Sequence, residues 1–136
     1  MGTVELTRQE SFSASHRLHN QGLSDVANRE YYGKCNNFNG HGHNYVWEVT
    51  VRGPVNKDSG LVYNLANLKN EMRKVLDEVD HKNLDKDIQF FAYKITSAEN
   101  LVIYLWDKLK SEMSNPGLLY KMVLHETSKN SVTYYG

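Results

Sequence analysis

The sequence predicts an α+β fold: an antiparallel four-stranded sheet with two helices on one face, in the order ββααββ. Three observations point to it. Two long N-terminal segments alternate with period two, two central segments repeat with helical spacing, and the C-terminal segment returns to alternation. Strands and helices grouped in separate blocks favour an antiparallel sheet over βαβ units.

The first strand runs from Val4 to His16, with Val4, Leu6, Phe12, Ala14 and His16 on one side. Residues 17–40 lack periodicity and are rich in Asn and Gly, which predicts a long functional loop holding Cys35. In the second strand His41, His43, Tyr45, Trp47, Val49 and Val51 alternate with Gly42, Asn44, Val46, Glu48, Thr50 and Arg52, and Gly42 leaves room for a bulge. A turn over Gly53 to Gly60 returns the chain through Leu61 to Tyr63. Leu65, Leu68, Met72, Val75, Leu76 and Val79 then predict a helix capped by Asn64 and ending near Asp80. Thr96-Ser97-Ala98-Glu99 has the form of a capping box, opening a second helix through Met113 that Asn115-Pro116-Gly117 stops. Leu118, Tyr120, Met122, Leu124 and Glu126 predict one face of the next strand, and a turn at Ser128 to Asn130 leads to a short last strand through Tyr135.

With 136 residues and no repeat or linker, residues 1–136 are expected to form a single domain. Sixteen basic residues balance sixteen acidic ones, so neither nucleic acid nor an anionic membrane is an expected partner. No apolar run reaches about eighteen residues, and Met1 to Gln9 holds no signal-like segment. A lone cysteine fits a reducing compartment, so the expected address is cytoplasmic. An open sheet also leaves two edges through which copies could associate.

His41 and His43, two apart on a strand, aim both imidazoles to one side, and His16 at the end of a neighbouring strand could complete a set of three. Three histidines without a fourth obvious ligand describe a catalytic zinc (Zn2+) site better than a structural one; the alternative is a chance pair on an exposed strand. Cys35, beside Lys34, has three readings: a reactive thiolate, a fourth zinc ligand, or a small buried thiol. Asp80-His81 at a helix end suits acid–base work or a solvent-facing turn. Strand alternation points Glu126 from the core side toward the sheet's end, where a ring with adjacent N–H donors would satisfy its carboxylate; the alternative is an exposed position past the strand. Glu99 is already explained by the capping box.

Several motifs resemble the eukaryotic 6-pyruvoyl-tetrahydropterin synthase family over nearly the whole chain: FSASHRL from Phe12, GKCNNFNGHGHNY from Gly33, NLANLK from Asn64, LDEVDHKNLD ending at Asp85, AEN from Ala98 and LHET from Leu124. The resemblance implies a zinc-dependent lyase that converts 7,8-dihydroneopterin triphosphate to 6-pyruvoyl-tetrahydropterin, releasing triphosphate, in tetrahydrobiopterin synthesis. It implies His16, His41 and His43 as zinc ligands, Cys35 as proton acceptor, Asp80 and His81 as its relay, and Glu126, with Glu99, at the pterin ring. It further implies the tunnelling fold (T-fold), a homohexamer made of two stacked trimers, with active sites at subunit interfaces. Five residues separate Cys35 from His41, against three in the related 6-carboxy-tetrahydropterin synthases, which favours the pyruvoyl enzyme. Phe38 and Ser97-Ala98 depart from the family pattern, where proline and paired threonines are common. For the triphosphate, Arg17, Arg29, Lys34 and Lys82 are all candidates.

Overall fold

The two alternating N-terminal segments become strands of 14 residues each, β1 (Thr3–His16) and β2 (His41–Pro54), in the computed structural model, which describes residues 2–136. They pair antiparallel without a break, from Thr3 opposite Pro54 to His16 opposite His41. Gly42 therefore marks no bulge; it lies in regular register opposite Ser15. Because residues directly opposite each other share a face, His16, His41 and His43 emerge on the same side at one end of the ladder.

The expected four-stranded antiparallel sheet is corrected to a five-stranded mixed one. A two-residue strand, β3 (Lys82–Asn83), pairs parallel with β1 at Ala14 and Ser15; β4 (Leu119–His125) pairs with β2, and β5 (Ser131–Tyr134) with β4, giving the order β3-β1-β2-β4-β5. Two residues carry no readable period, so β3 is invisible to pattern analysis. A register shift at Thr50/Val51 sets Leu119 opposite Val51 and Lys121 opposite Thr50. Tyr120 drops out of the expected inward row, and its ring lies under Arg52, with the guanidinium 4.9 Å from its centroid. Met122 and Leu124 keep the predicted alternation and are fully buried.

The expected loop over 17–40 contains a helix, α1 (Asp25–Tyr32), followed by a 3-10 turn over Gly33–Asn36. α1 has no apolar stripe: its one buried residue is Asn28. The Asn28 amide accepts the Asn20 N–H at 2.7 Å and donates to the carbonyls of Asn20 and Ser24 at 2.9 and 3.0 Å. A polar staple leaves no hydrophobic period to detect.

α2 (Leu65–Val79) begins as predicted, with Asn64 accepting the Asn67 N–H, and buries Leu68, Met72, Val75 and Val79. A single turn, α3 (Leu84–Asp87), and a 3-10 segment over Gln89–Tyr93 lead to α4 (Ala98–Glu112). The α4 cap is Ser97, whose hydroxyl accepts the Asn100 N–H at 3.2 Å. The expected box between Thr96 and Glu99 therefore does not form: Thr96 is buried and its hydroxyl is taken by Asp85, while Glu99 is exposed in the first turn.

α2 and α4 pack on one face of the sheet, closing a core that includes Trp47, Val49, Leu105, Leu109, Met122 and Leu124. Removing one such leucine side chain costs about 2–5 kcal/mol. The other face carries Thr7 bonded to Thr50 and Glu48 paired with His125, with no helix over it among the described residues. Beyond the two residues paired with β3, the outer edge of β1 is open. No helix among the described residues is long and apolar enough to cross a membrane.

Candidate metal centre

At the end of the β1–β2 ladder, on the helix-covered face, the rings of His16, His41 and His43 lie 4.7 to 5.2 Å apart, centroid to centroid. One ring nitrogen from each lies within 4.8 Å of the others. His16 Nε2, His41 Nδ1 and His43 Nε2 are all buried without a hydrogen-bond partner. Three buried polar atoms left unpaired at one point are costly unless something else binds them. Burial, and next the charges of His16 and His43, push His41 below its ordinary value; burial also lowers His43. Both rings are thus biased toward the neutral form whose lone pair binds a metal. The cluster can hold a metal ion, and three imidazoles suit zinc among other transition metals.

The cluster is braced from outside. His16 Nδ1 donates to the Thr96 carbonyl at 2.6 Å, which turns Nε2 toward the cluster. Thr96 is pinned through its hydroxyl to Asp85 Oδ1 at 2.9 Å, and Asp85 Oδ2 accepts the Arg17 N–H at 2.6 Å. One carboxylate therefore ties the residue after His16 to the residue that orients His16. The sequence offers Thr96 only as a helix cap and Asp85 only as the end of a motif, because the ties to His16 and Arg17 join residues far apart in the chain. Gly40, at φ 76, completes the frame: a Cβ there would lie 2.7 Å from the His16 carbonyl oxygen.

Glu126 follows the last residue of β4, and the alternation that buries Met122 and Leu124 brings its Oε2 to 4.0 Å from both His16 Nε2 and His43 Nε2. Its side chain lies one residue past the strand and is partly buried beside the cluster. Tyr45 lies next along β2, stacked on Phe12 at 4.8 Å, with its hydroxyl buried and unpartnered. Burial, and then the Glu126 charge, push its phenol up.

Cys35 is half-buried in the 3-10 turn, and its carbonyl accepts the Leu18 N–H at 2.9 Å, two residues past His16. It is not among the donors that converge on the cluster. Asp80 and His81 form a pair, His81 Nδ1 to Asp80 Oδ1 at 3.0 Å. The Ser13 N–H, donated at 2.9 Å, and then His81 hold the Asp80 carboxyl below its usual range. The His81 N–H donates to the Ser13 carbonyl at 2.6 Å, and its backbone takes φ 63, a left-handed conformation that is strained for a residue other than glycine. The His81 side chain is 83% exposed, and no hydrogen bond joins the pair to Cys35 among the described residues. One chain thus brings together the three histidines and Glu126, and leaves Cys35, Asp80–His81 and the exposed Glu99 apart.

The likeness to known proteins covers nearly the whole chain. The profile described as 6-pyruvoyl tetrahydropterin synthase matches residues 5–136. The 6-pyruvoyl tetrahydrobiopterin synthase of Drosophila melanogaster is 51% identical over 132 residues, covering 96% of this chain and 79% of its own. That of Homo sapiens is 47% identical over 134 residues, covering 98% and 92%. The solved 6-pyruvoyl tetrahydropterin synthase of Caenorhabditis elegans superposes with a TM-score of 0.98 at 58% identity, over 100% of this chain and 97% of that one. On the fold, the clustered histidines and these likenesses, the chain belongs to the 6-pyruvoyl tetrahydropterin synthase family.

Proposed function

We propose that the chain is a zinc-dependent carbon–oxygen lyase converting 7,8-dihydroneopterin triphosphate to 6-pyruvoyl-tetrahydropterin, with release of triphosphate, in tetrahydrobiopterin biosynthesis. The observation that carries this reading is the convergence of three unpartnered, buried imidazole nitrogens beside a carboxylate. His16, His41 and His43 hold the metal, with Thr96 fixing the tautomer of His16. Zinc bound there supplies Lewis acidity toward the hydroxyls of the substrate side chain.

Glu126 accepts the adjacent N–H groups of the pterin ring and sets the side chain toward the histidines. Glu99 is a second, outer contact for the ring. Cys35 takes the proton from a side-chain carbon, and Asp80–His81 relays it. Electrons lost at one side-chain carbon are regained within the same molecule, so no outside reductant or oxidant is consumed.

Within one chain the relay pair faces solvent beside the open edge of β1. That open edge supports association of copies, and the homohexamer of two stacked trimers that the family likeness suggests would let Asp80–His81 of one subunit meet Cys35 of another. A lone cysteine used as a base fits a cytoplasmic setting.

The test is to incubate zinc-loaded protein with 7,8-dihydroneopterin triphosphate and analyse the products. Triphosphate with a pyruvoyl pterin is expected. Acetaldehyde with a carboxy pterin would assign the 6-carboxy reaction instead, and absence of turnover by the metal-loaded protein would sink the reading.

A further inference from the structure

The chain is neutral overall, yet two concave regions among the described residues carry opposite charge. One, beside α2 and α4, sets Asp77, Glu78, Asp87 and Asp107 against Lys82 and Lys108. The other, of about 460 Å³, lies between the segment just past β1, the turn before β2 and the run from Asn83 to Ile95. Its charged lining is Arg17, Lys86 and Lys94 against Asp85 alone.

The single carboxylate is already engaged, with both Asp85 oxygens accepting hydrogen bonds from Arg17 N–H and Thr96. The cations are not. Arg17 is held in place by its Nε donating to the Asn36 carbonyl at 2.9 Å and by Phe38, whose ring centroid lies 5.4 Å from the guanidinium. Its two terminal nitrogens make no hydrogen bond, and neither Lys86 nor Lys94 forms an ion pair, among the described residues. Lys94 rests on the Phe90 ring, 4.4 Å from its centroid. Of the cations weighed from sequence, only Arg17 lines this cavity; Lys82 borders the acidic one.

This basic cavity shares a wall with the metal centre. Arg17 follows His16, Gly40 precedes His41, and both line the cavity. The cavity thus adjoins the backbone that carries His16 and His41, although none of the three histidines lines it. A neutral pterin ring has no use for three cations, whereas a condensed phosphate needs them.

We propose that this cavity binds the triphosphate of the substrate, with Arg17, Lys86 and Lys94 as its cationic contacts. The proposal rests on the reading of the substrate as a pterin triphosphate, but it is tested without turnover. Zinc-loaded protein is titrated calorimetrically with inorganic triphosphate. Lys86→Ala and Lys94→Ala should each weaken binding about tenfold, the affinity should fall with added salt, and Lys108→Ala in the acidic cavity should change nothing. Both cavity lysines are exposed, so neither substitution opens the core.

In turnover, the Lys86→Ala/Lys94→Ala double variant should raise KM at unchanged zinc content. Absence of triphosphate binding, unchanged affinity in the double variant, or an equal loss with Lys108→Ala would overturn the proposal. Binding through Lys86 and Lys94 in a protein that does not convert the pterin would support a condensed-phosphate site while contradicting the functional reading. Turnover with a KM indifferent to the double variant would do the reverse.

Discussion

His16, His41 and His43 converge under the helices with ring nitrogens buried and unpartnered, whereas Asp80 and His81 hang on the sheet edge, the carboxylate bonded to Ser13 and the imidazole in solvent. The first group is finished within one chain. Every histidine is set by strand register, and His16 is further held by Thr96 and Asp85. The second is equally well fixed in its backbone, down to the left-handed turn at His81, but faces away from its own core. On the proposed reading, metal geometry is built in the interior, where precision is easiest to enforce, and proton transfer is left at a surface for a second copy to complete.

The largest effect should come from the interior group. His43→Ala should remove zinc and turnover together, with a loss of metal affinity beyond the roughly 10–100-fold typical of outer partners; full zinc occupancy in this variant would break the assignment. Cys35→Ala should keep zinc and the fold but lower turnover by about 10²–10⁴. If Cys35 and His81 act across a boundary, Cys35→Ala and His81→Ala proteins, each inactive, should regain roughly a quarter of wild-type activity when unfolded together and reassembled. No recovery, with mixed oligomers demonstrated, would return both residues to one subunit.

Asp85→Asn should cost less, about ten- to a hundredfold in zinc affinity by chelator competition, with the fold retained. An unchanged affinity would show that the Thr96 brace does not orient His16. The smallest effect concerns pH. His41 and His43 are held below their ordinary 6.5 in the folded chain. Below 6.5 the unfolded chain binds more protons, so metal-free stability should be complete above that value and decline as pH falls through it toward the folded values. Urea melts of the zinc-free protein from about pH 7.5 to 5.5 would show this, and a flat profile would contradict it.

Much of this architecture was legible because it obeys local periods. Alternation located β1 and β2, and helical spacing with Asn64 located α2. The histidines followed from the same alternation, since ligands two apart on a strand and one at a neighbouring strand end are a local pattern. What escaped was held by polar, long-range or very short features. α1 is stapled by Asn28 and has no apolar stripe, and β3 is too short to show a period. The α4 cap moved from Thr96 to Ser97 because Asp85 claims the Thr96 hydroxyl, a contact no local rule foresees. Tyr120 fell out of line because two successive large apolar residues, Leu119 and Tyr120, hide a register shift.

The central claim is that three histidines, without Cys35, hold the metal. X-ray absorption at the zinc edge of the loaded protein tests it most directly. The account predicts three imidazole nitrogens at about 2.0–2.1 Å, light-atom scatterers in any remaining position, and no sulfur. A zinc–sulfur distance of about 2.3 Å would make Cys35 a ligand, close the site, and contradict its role as the base.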